Sequence, residues 1–333
     1  MSLSIHKKDL GKFLGSVIAE LPTYGPTEQK DSGKSGSHFA RLRSGKDLKL
    51  GYGITMIPPK KYLFPAKEDV FRFEKGEILP PTNKDFVVFG VSKKDGEGLF
   101  YLDKIYEYPI AETFYTERRK HMKLVIIDAL PPSNNINCDL YLQNVDESHF
   151  LAFPFSEFGE KLVTGNPLFG QEKESGSISV RHLPDNIIYH PKLAEIIENS
   201  RDHAVWKNLA KTCFNCGICS YTCPLCYCFE ETDRIDIRGN VAKDVPGGRE
   251  RRWDSCMLPD FAVVSFKNFR PEYEDRIYNW YHHKFVRMPR EYGFVGCIDC
   301  GRCITYCPAR INYRKVLEKL IEDYPKTKAK VAK

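Results

Sequence analysis

Eight cysteines in the C-terminal part of the chain have residue types and spacing that could bind a metal cluster. They form two runs with the pattern Cys-x-x-Cys-x-x-Cys-x-x-x-Cys-Pro, and the runs contain Cys213, Cys216, Cys219, Cys223, Cys297, Cys300, Cys303 and Cys307. A turn with a cysteine at every third position points successive sulfurs at one enclosed point, where backbone N–H groups can stabilise an anionic cluster. The proline that ends each run bends the chain away from that point. The pattern therefore predicts iron–sulfur chemistry.

The same spacing predicts how the two runs share their sulfurs. In bacterial two-cluster ferredoxins, the fourth Cys of such a run usually ligates the cluster of the other run. The predicted ligands are Cys213, Cys216, Cys219 and Cys307 for one [4Fe-4S] cluster, and Cys297, Cys300, Cys303 and Cys223 for the other. Structural zinc is the main alternative, but a four-ligand zinc site gives no reason for a third Cys and a Cys-Pro in both runs. Disulfides are disfavoured because thiolate clusters belong to reducing compartments.

Composition narrows the class of protein. The chain has 333 residues, of which 42% are hydrophobic, enough for two or three domains with cores of their own. Twelve cysteines are too few for a disulfide scaffold, and a net charge of +6 gives no indication of nucleic-acid binding. No apolar stretch approaches the length of a membrane span, and the charged N-terminus does not resemble a signal peptide. We expect a soluble cytoplasmic protein without a membrane span.

The N-terminal part has the pattern of a small α/β domain. Continuous apolar runs predict buried strands over residues 85–91 and 123–130, with two helices between them, and this order favours a partly parallel sheet. The other predicted elements are a helix over 7–21, a loop over 25–37, a strand over 38–42, a hairpin formed by 140–142 and 150–153, and a helix over 157–163. We find no catalytic constellation in this part, so its role stays unassigned.

A polar segment over 171–176 marks the predicted domain boundary. We predict an α+β protein with an α/β domain over 1–175, a helical ferredoxin-like domain with both clusters over 190–325, and a frayed basic tail over 326–333. Apolar residues at helical spacing over 191–212, 272–285 and 313–324 support the helical domain. Folding of this domain should be coupled to cluster assembly.

Four cysteines lie outside the two runs: Cys138, Cys226, Cys228 and Cys256. The last three are candidates for an additional iron–sulfur site with a fourth ligand that is not cysteine, or for residues that tune the cluster held by Cys223. The alternative is that they are buried packing thiols, since free Cys is among the most buried residue types.

Two groups of charged or titratable residues between the cysteine runs each allow a functional and a structural interpretation. His282 and His283 could supply the missing ligand, although adjacent histidines on a helix more often lie on the surface. The arginines Arg249, Arg251 and Arg252 could offset the negative charge of the clusters, or they could be ordinary solvated charges.

Several segments together resemble a known family. The resembling segments are 206–233 with its Cys-Pro-x-Cys-x-Cys, 249–256, Asn268-Phe-Arg-Pro and 296–308, with weaker similarity in Ile57-Pro-Pro-Lys-Lys and Phe89-Gly-Val. The chain resembles the β subunit of cytoplasmic [NiFe] sulfhydrogenases and the A subunit of anaerobic sulfite reductases, which share a 4Fe-4S dicluster architecture. The resemblance implies an electron-transfer subunit in a hetero-oligomer. Its implied partners are a catalytic redox subunit, such as a hydrogenase or sulfite reductase, and a flavoprotein that uses FAD and NAD(P)H.

Two rival functions stay open on the sequence. The chain could be a self-contained iron–sulfur reductase with a substrate or flavin site in its N-terminal domain, or a cluster protein that acts as a regulator or scaffold. The sequence contains neither Gly-x-Gly-x-x-Gly nor a P-loop, which favours a connector over an enzyme.

Overall fold

The structure is a computed structural model that describes residues 2–29, 36–74, 76–172, 186–235 and 246–331. Its strands are β1 Ser2–His6, β2 Thr23–Gln29, β3 Gly36–Arg41, β4 Lys67–Glu74, β5 Glu77–Leu79, β6 Phe86–Val91, β7 Met122–Asp128, β8 Leu140–Asn144, β9 His149–Pro154, β10 Phe169–Glu172, β11 Phe229–Ile235, β12 Gly247–Trp253, β13 Val263–Val264 and β14 Lys267–Asn268. Its helices are α1 Leu10–Glu20, α2 Lys93–Glu107, α3 Thr113–His121, α4 Glu157–Val163, α5 Leu193–Glu198, α6 Ala204–Ala210, α7 Ile218–Tyr221, α8 Tyr273–His282, α9 Met288–Tyr292, α10 Arg302–Thr305 and α11 Tyr313–Val331, with a π-helical turn at His283–Arg287 between α8 and α9. The predicted α+β class is confirmed.

The chain forms two compact units. The first contains Met1–Pro65 and Pro80–Arg181, and the second contains Ala66–Leu79 and His182–Lys333. The predicted boundary at residue 175 places residues 66–79 in the first domain. They belong to the second unit because β4 pairs with β12 along an antiparallel ladder. The domain limits near 175, 190 and 325 stay predictions.

The first unit is built on one mixed sheet with the strand order β10-β1-β9-β8-β7-β6-β2-β3. The neighbours β8, β7, β6 and β2 are parallel, and the remaining pairs are antiparallel, as the predicted α/β arrangement requires. Apolar side chains of α1, among them Phe13 and Leu14, pack with Val87 and Phe89 of β6 in one core. The side chains of β6 from Val87 to Val91 are buried, which explains why its sequence is continuously apolar.

The loop predicted over 25–37 is wrong at both ends, because residues 25–29 belong to β2 and 36–37 to β3. Pairing with β6 on one side and β3 on the other outweighs the low strand propensity of Gly25 and Pro26. A Cβ at Gly25 would lie 2.6 Å from the Phe89 carbonyl oxygen, so glycine permits this close approach. Residues 30–35 lie outside the described residues.

The second unit combines a helical core with the antiparallel sheet β11-β12-β4-β5. Large side chains such as Trp206, Trp280 and Leu317 form the core between the helices. The sequence analysis missed β11 and β12 between the two cysteine runs. It also ended the last helix at 324, whereas α11 continues to Val331 through most of the predicted basic tail, since lysine and alanine are good helix formers. Residues 173–176 of the predicted linker and 332–333 of the tail lie outside the described residues.

Candidate metal centre

The two cysteine runs adopt the same backbone conformation. Two residues after the first Cys, Asn215 and Asp299 have left-handed φ angles of 51° and 54°. Two residues further, Gly217 and Gly301 have φ angles of 76° and 78° and begin the single-turn helices α7 and α10. Left-handed residues at these positions can turn neighbouring backbone N–H groups to one side, as in anion-binding concavities.

Backbone N–H groups donate to the sulfurs at both ends of each run. In the first run the N–H of Asn215 lies 3.4 Å from the sulfur of Cys213, and in the second the N–H of Asp299 lies 3.3 Å from that of Cys297. The terminal sulfurs accept in the same way, Cys223 from the N–H of Leu225 and Cys307 from that of Ile311, both at 3.4 Å. Such donors stabilise thiolates and tune the potentials of clusters that thiolates hold.

The first three cysteines of the first run lie close to the last cysteine of the second. Burial raises the pKa of Cys219 to about 12, and the charges of Cys213, Cys216 and Cys307 add to the rise. Burial likewise raises the pKa of Cys213, again with Cys307 and Cys216 contributing. All four line one pocket of about 610 Å³, a volume that includes the solvent at its mouth, beside the ring of Trp280.

The second run shows the reciprocal arrangement. Burial raises the pKa of Cys297 to about 11, and the charges of Cys223 and Cys300 add to the rise. Burial also raises the pKa of Cys303 well above its ordinary value, with Cys297, Cys223 and Cys300 contributing. The first three cysteines of each run thus interact electrostatically with the last cysteine of the other run, and Cys303 also lines the pocket of the first set. The assignment of four ligands to each cluster stays a prediction.

The donors of each set fit an iron–sulfur cluster. Iron binds cysteine as thiolate, so cluster binding would release protons as it organises the site. Within the described ranges, no three His, Cys, Asp or Glu side chains converge so as to hold one metal ion. A cluster does not require such convergence, because its thiolates bind different iron atoms.

Lys284 is a residue of this site that sequence reasoning missed. Its side chain is 3% exposed, and its Nζ donates to the sulfur of Cys223 at 3.2 Å and to the carbonyl oxygen of Gly296 at 2.9 Å. The available signal was its position four residues after Trp280 and one before Phe285, on the apolar face of a predicted helix. A charged residue in such a face needs a partner, and here the partner is a thiol.

Two further polar side chains hold the backbone of the runs. Arg276 is buried and donates to the Oδ1 of Asn215 at 3.4 Å. Asp299 accepts hydrogen bonds from the hydroxyl of Tyr313 and from the Nδ2 of Asn186, the latter at 2.9 Å. The hydrogen bond from Arg276 therefore stabilises the left-handed residue Asn215, and those from Tyr313 and Asn186 stabilise the left-handed residue Asp299.

The candidate additional cysteines occupy different environments. Cys226 lies beside Cys223, and a hydrogen bond with that thiol and burial together raise its pKa well above the ordinary value. Cys256 is buried in the helical core, and Cys228 packs against the same core. An additional site made by Cys226, Cys228 and Cys256 stays a prediction.

The structure constrains the histidines and arginines considered above. His282 and His283 are both partly buried, and the Nε2 of His283 lies 3.3 Å from the hydroxyl of Tyr227. Burial lowers the pKa of His283 to about 3, so it is neutral at physiological pH. The three arginines of β12 pair with carboxylates, Arg249 with Asp233, Arg251 with Glu68 and Arg252 with Glu250. Their charges are thus compensated within the sheet.

Comparison with known proteins agrees with this geometry. The 4Fe-4S dicluster domain family matches residues 212–311. Sulfhydrogenase 2 subunit beta of Pyrococcus furiosus is 29% identical over 340 residues, which cover 96% of this chain and 98% of that protein. Residues 212–311 thus match a 4Fe-4S dicluster domain, and nearly the whole chain is similar to this sulfhydrogenase subunit. The family resemblance inferred from the sequence is confirmed, and with it the iron–sulfur character of the protein.

Two further findings complete the comparison. No solved structure matches the chain at a significant level. Among the described residues, no helix has the length and apolarity needed to cross a membrane.

Proposed function

We propose that this chain is an electron-transfer subunit that holds two [4Fe-4S] clusters. The observation that supports the proposal is the electrostatic interaction between the first three cysteines of each run and the last cysteine of the other, as expected of two four-thiol sites in one unit. Each bound cluster would accept and release one electron at a time. The chain's own residues would hold the thiolates and supply N–H donors to them.

The burial of the cysteines supports one point of electron exchange. Of the eight run cysteines, all of which are described, only Cys216 is exposed, and the neighbouring Phe214 is 66% exposed. A cluster held by Cys213, Cys216, Cys219 and Cys307 would therefore have one edge at the surface. We infer that electrons enter or leave the chain at this edge.

The proposed partners are a catalytic redox subunit and a flavoprotein that exchanges electrons with NAD(P)H. Support comes from the relative, whose name describes it as a subunit of a sulfhydrogenase. A cytoplasmic location is part of the same proposal, because the run cysteines need a reducing compartment.

The test is electron transfer in the complex purified anaerobically with its native partners. We expect Cys300→Ala to abolish NADPH-dependent electron transfer to the catalytic subunit while the subunit composition is unchanged. Cys138→Ala is the matched control, since it removes a buried thiol outside both runs. Transfer that survives Cys300→Ala would instead support a regulator or scaffold.

A cavity in the first unit keeps the reductase alternative testable. It lies at the carboxyl ends of the parallel strands β6, β7 and β8, where it is lined by Gly90, Asp128 and Asn144 together with Lys7 and Tyr52. Ligands of α/β proteins commonly bind at this end of a sheet. FAD bound to the isolated chain, or reduction of a viologen dye by the chain alone with NADPH, would favour this function over the connector.

A further inference from the structure

Lys284 lies between the end of one cysteine run and the start of the other. Its Nζ contacts the sulfur of Cys223, the fourth cysteine of the first run, and the carbonyl oxygen of Gly296, the residue before Cys297. Cys223 and Cys297 belong to the same proposed ligand set. A lysine side chain carries three N–H donors and no acceptor, and two of the three are used here within the site.

The local fold fixes this position. Lys284 lies in the π-helical turn His283–Arg287, a rare conformation that is found frequently at functional sites. The N–H of Gly296 donates to the carbonyl oxygen of Lys284 at 2.7 Å, so the two residues are bonded in both directions. A Cβ at Gly296 would lie 3.0 Å from the Cα of Lys284 and 2.3 Å from the sulfur of Met288. Glycine is therefore needed for the approach that brings Lys284 to the thiol.

The buried basic residue near the other ligand set is bonded differently. The guanidinium of Arg276 donates to the side chain of Asn215 and to the carbonyl oxygens of Arg270 and Pro271, at 3.4, 2.9 and 2.8 Å. It reaches the first run through an amide, whereas Lys284 contacts a sulfur directly. The charge of Lys284 also lowers the pKa of Cys219 in the first ligand set, but the sulfur to which its Nζ donates is that of Cys223.

This difference has a redox consequence. Reduction of a cluster by one electron adds one negative charge, with no bond formed or broken and no proton moved. A cation that hydrogen-bonds a ligand sulfur stabilises the reduced state, and burial keeps this interaction from being screened by solvent or salt. We propose that Lys284 raises the reduction potential of the cluster held by Cys223, Cys297, Cys300 and Cys303 above the value that the same cluster would have without it. This inference rests on the proposed function, since it requires two clusters.

The experiment is a redox titration monitored by EPR on the full chain, purified anaerobically. Lys284→Met removes the charge at similar side-chain volume, and Lys284→Gln removes the charge but keeps a donor. We expect each variant to lower the equilibrium constant for reduction of one of the two clusters at least tenfold, which is about 59 mV for one electron. The other cluster should change less, because the charge of Lys284 also acts on its ligand Cys219 but the hydrogen bond is made to Cys223. The difference should persist in 0.5 M NaCl, because the charge is buried.

Lys211→Met is the matched control, since Lys211 is an exposed lysine two residues before Cys213. We expect it to leave both potentials unchanged. Unchanged potentials in Lys284→Met and Lys284→Gln would overturn the proposal, and so would loss of iron from both variants, because the residue would then have a structural role only. If the unsubstituted protein itself lacks two clusters, the proposed function fails first, so the two failures are distinguishable.

Discussion

The first and second cysteine runs share one backbone conformation but differ in the side chains around it. After the first Cys, the first run has Phe214, which is 66% exposed, and the second has Ile298, which is 6% exposed. The second cysteine of each run follows the same trend, since Cys216 is exposed and Cys300 is partly buried. The backbone conformation that both runs share places N–H donors near the cysteine sulfurs. The side chains in which the runs differ determine which cysteine set is exposed at the surface.

The difference extends to the helices that follow. At equivalent positions of α7 and α10, Ile218 is partly buried and Arg302 is 1% exposed. The direct lysine–sulfur contact of Lys284 with Cys223 also belongs to the ligand set of the second run. An internal repeat can therefore give two sites of the same ligand type with different access and different electrostatics.

The largest expected effect comes from removing ligands one at a time. Cys213→Ser and Cys307→Ser should each lose about four of about eight iron atoms and give the same residual EPR spectrum, because both residues would hold one cluster. Cys297→Ser and Cys223→Ser should share the other residual spectrum. If Cys223→Ser instead matched Cys213→Ser, each run would hold its own cluster and the reciprocal arrangement would be wrong.

A second test compares the two residues that follow the first Cys. Ile298→Ala should lower the free energy of unfolding by about 2–5 kcal/mol, because it removes buried methylene groups from a packed site. Phe214→Ala should change it by no more than about 0.5 kcal/mol, because the ring is exposed. Denaturant unfolding under anaerobic conditions measures both. Similar losses in the two variants would contradict the difference in burial.

The smallest expected effect is the difference in free energy of unfolding between alanine substitutions at Gly217 and Gly301, the two left-handed glycines of the runs. Gly301→Ala should cost about 1 kcal/mol, since the backbone is left-handed but no atom lies within 4 Å of the new Cβ. Gly217→Ala should cost more, because its Cβ would lie 2.9 Å from that of the buried Ser255. The same unfolding measurement applies. Equal costs would show that Ser255 shifts freely and that the first run is less tightly packed than described.

Much of the fold follows from patterns that the sequence displays. The strands β6 and β7 were predictable because their sequences are predominantly apolar. The helices α2 and α3 were predicted between them. The grouping of the run cysteines was predictable because the spacing constrains their geometry. The ligand assignment itself stays a prediction.

The missed features depend on contacts between distant residues. Every side chain of β11 is exposed, so the strand has no apolar alternation, and cross-strand pairs such as Asp233 with Arg249 support it instead. Gly25 lies in β2 because this strand pairs with β3 and β6, whereas glycine itself has a low strand propensity. In the sequence, Lys284 is a single charged residue in a predicted helix. Its contact partner Cys223 lies 61 residues earlier in the chain. The position of Lys284 on the apolar face of a predicted helix is a local signal in the sequence, but it does not identify the partner.

The most direct test of the account is the content of iron and acid-labile sulfide per chain in anaerobically purified protein, with EPR of the reduced state. The account predicts about eight of each, with two interacting S = 1/2 signals. About twelve of each would indicate that Cys226, Cys228 and Cys256 bind a third cluster. Zinc in place of iron would contradict the account and leave a structural metal protein.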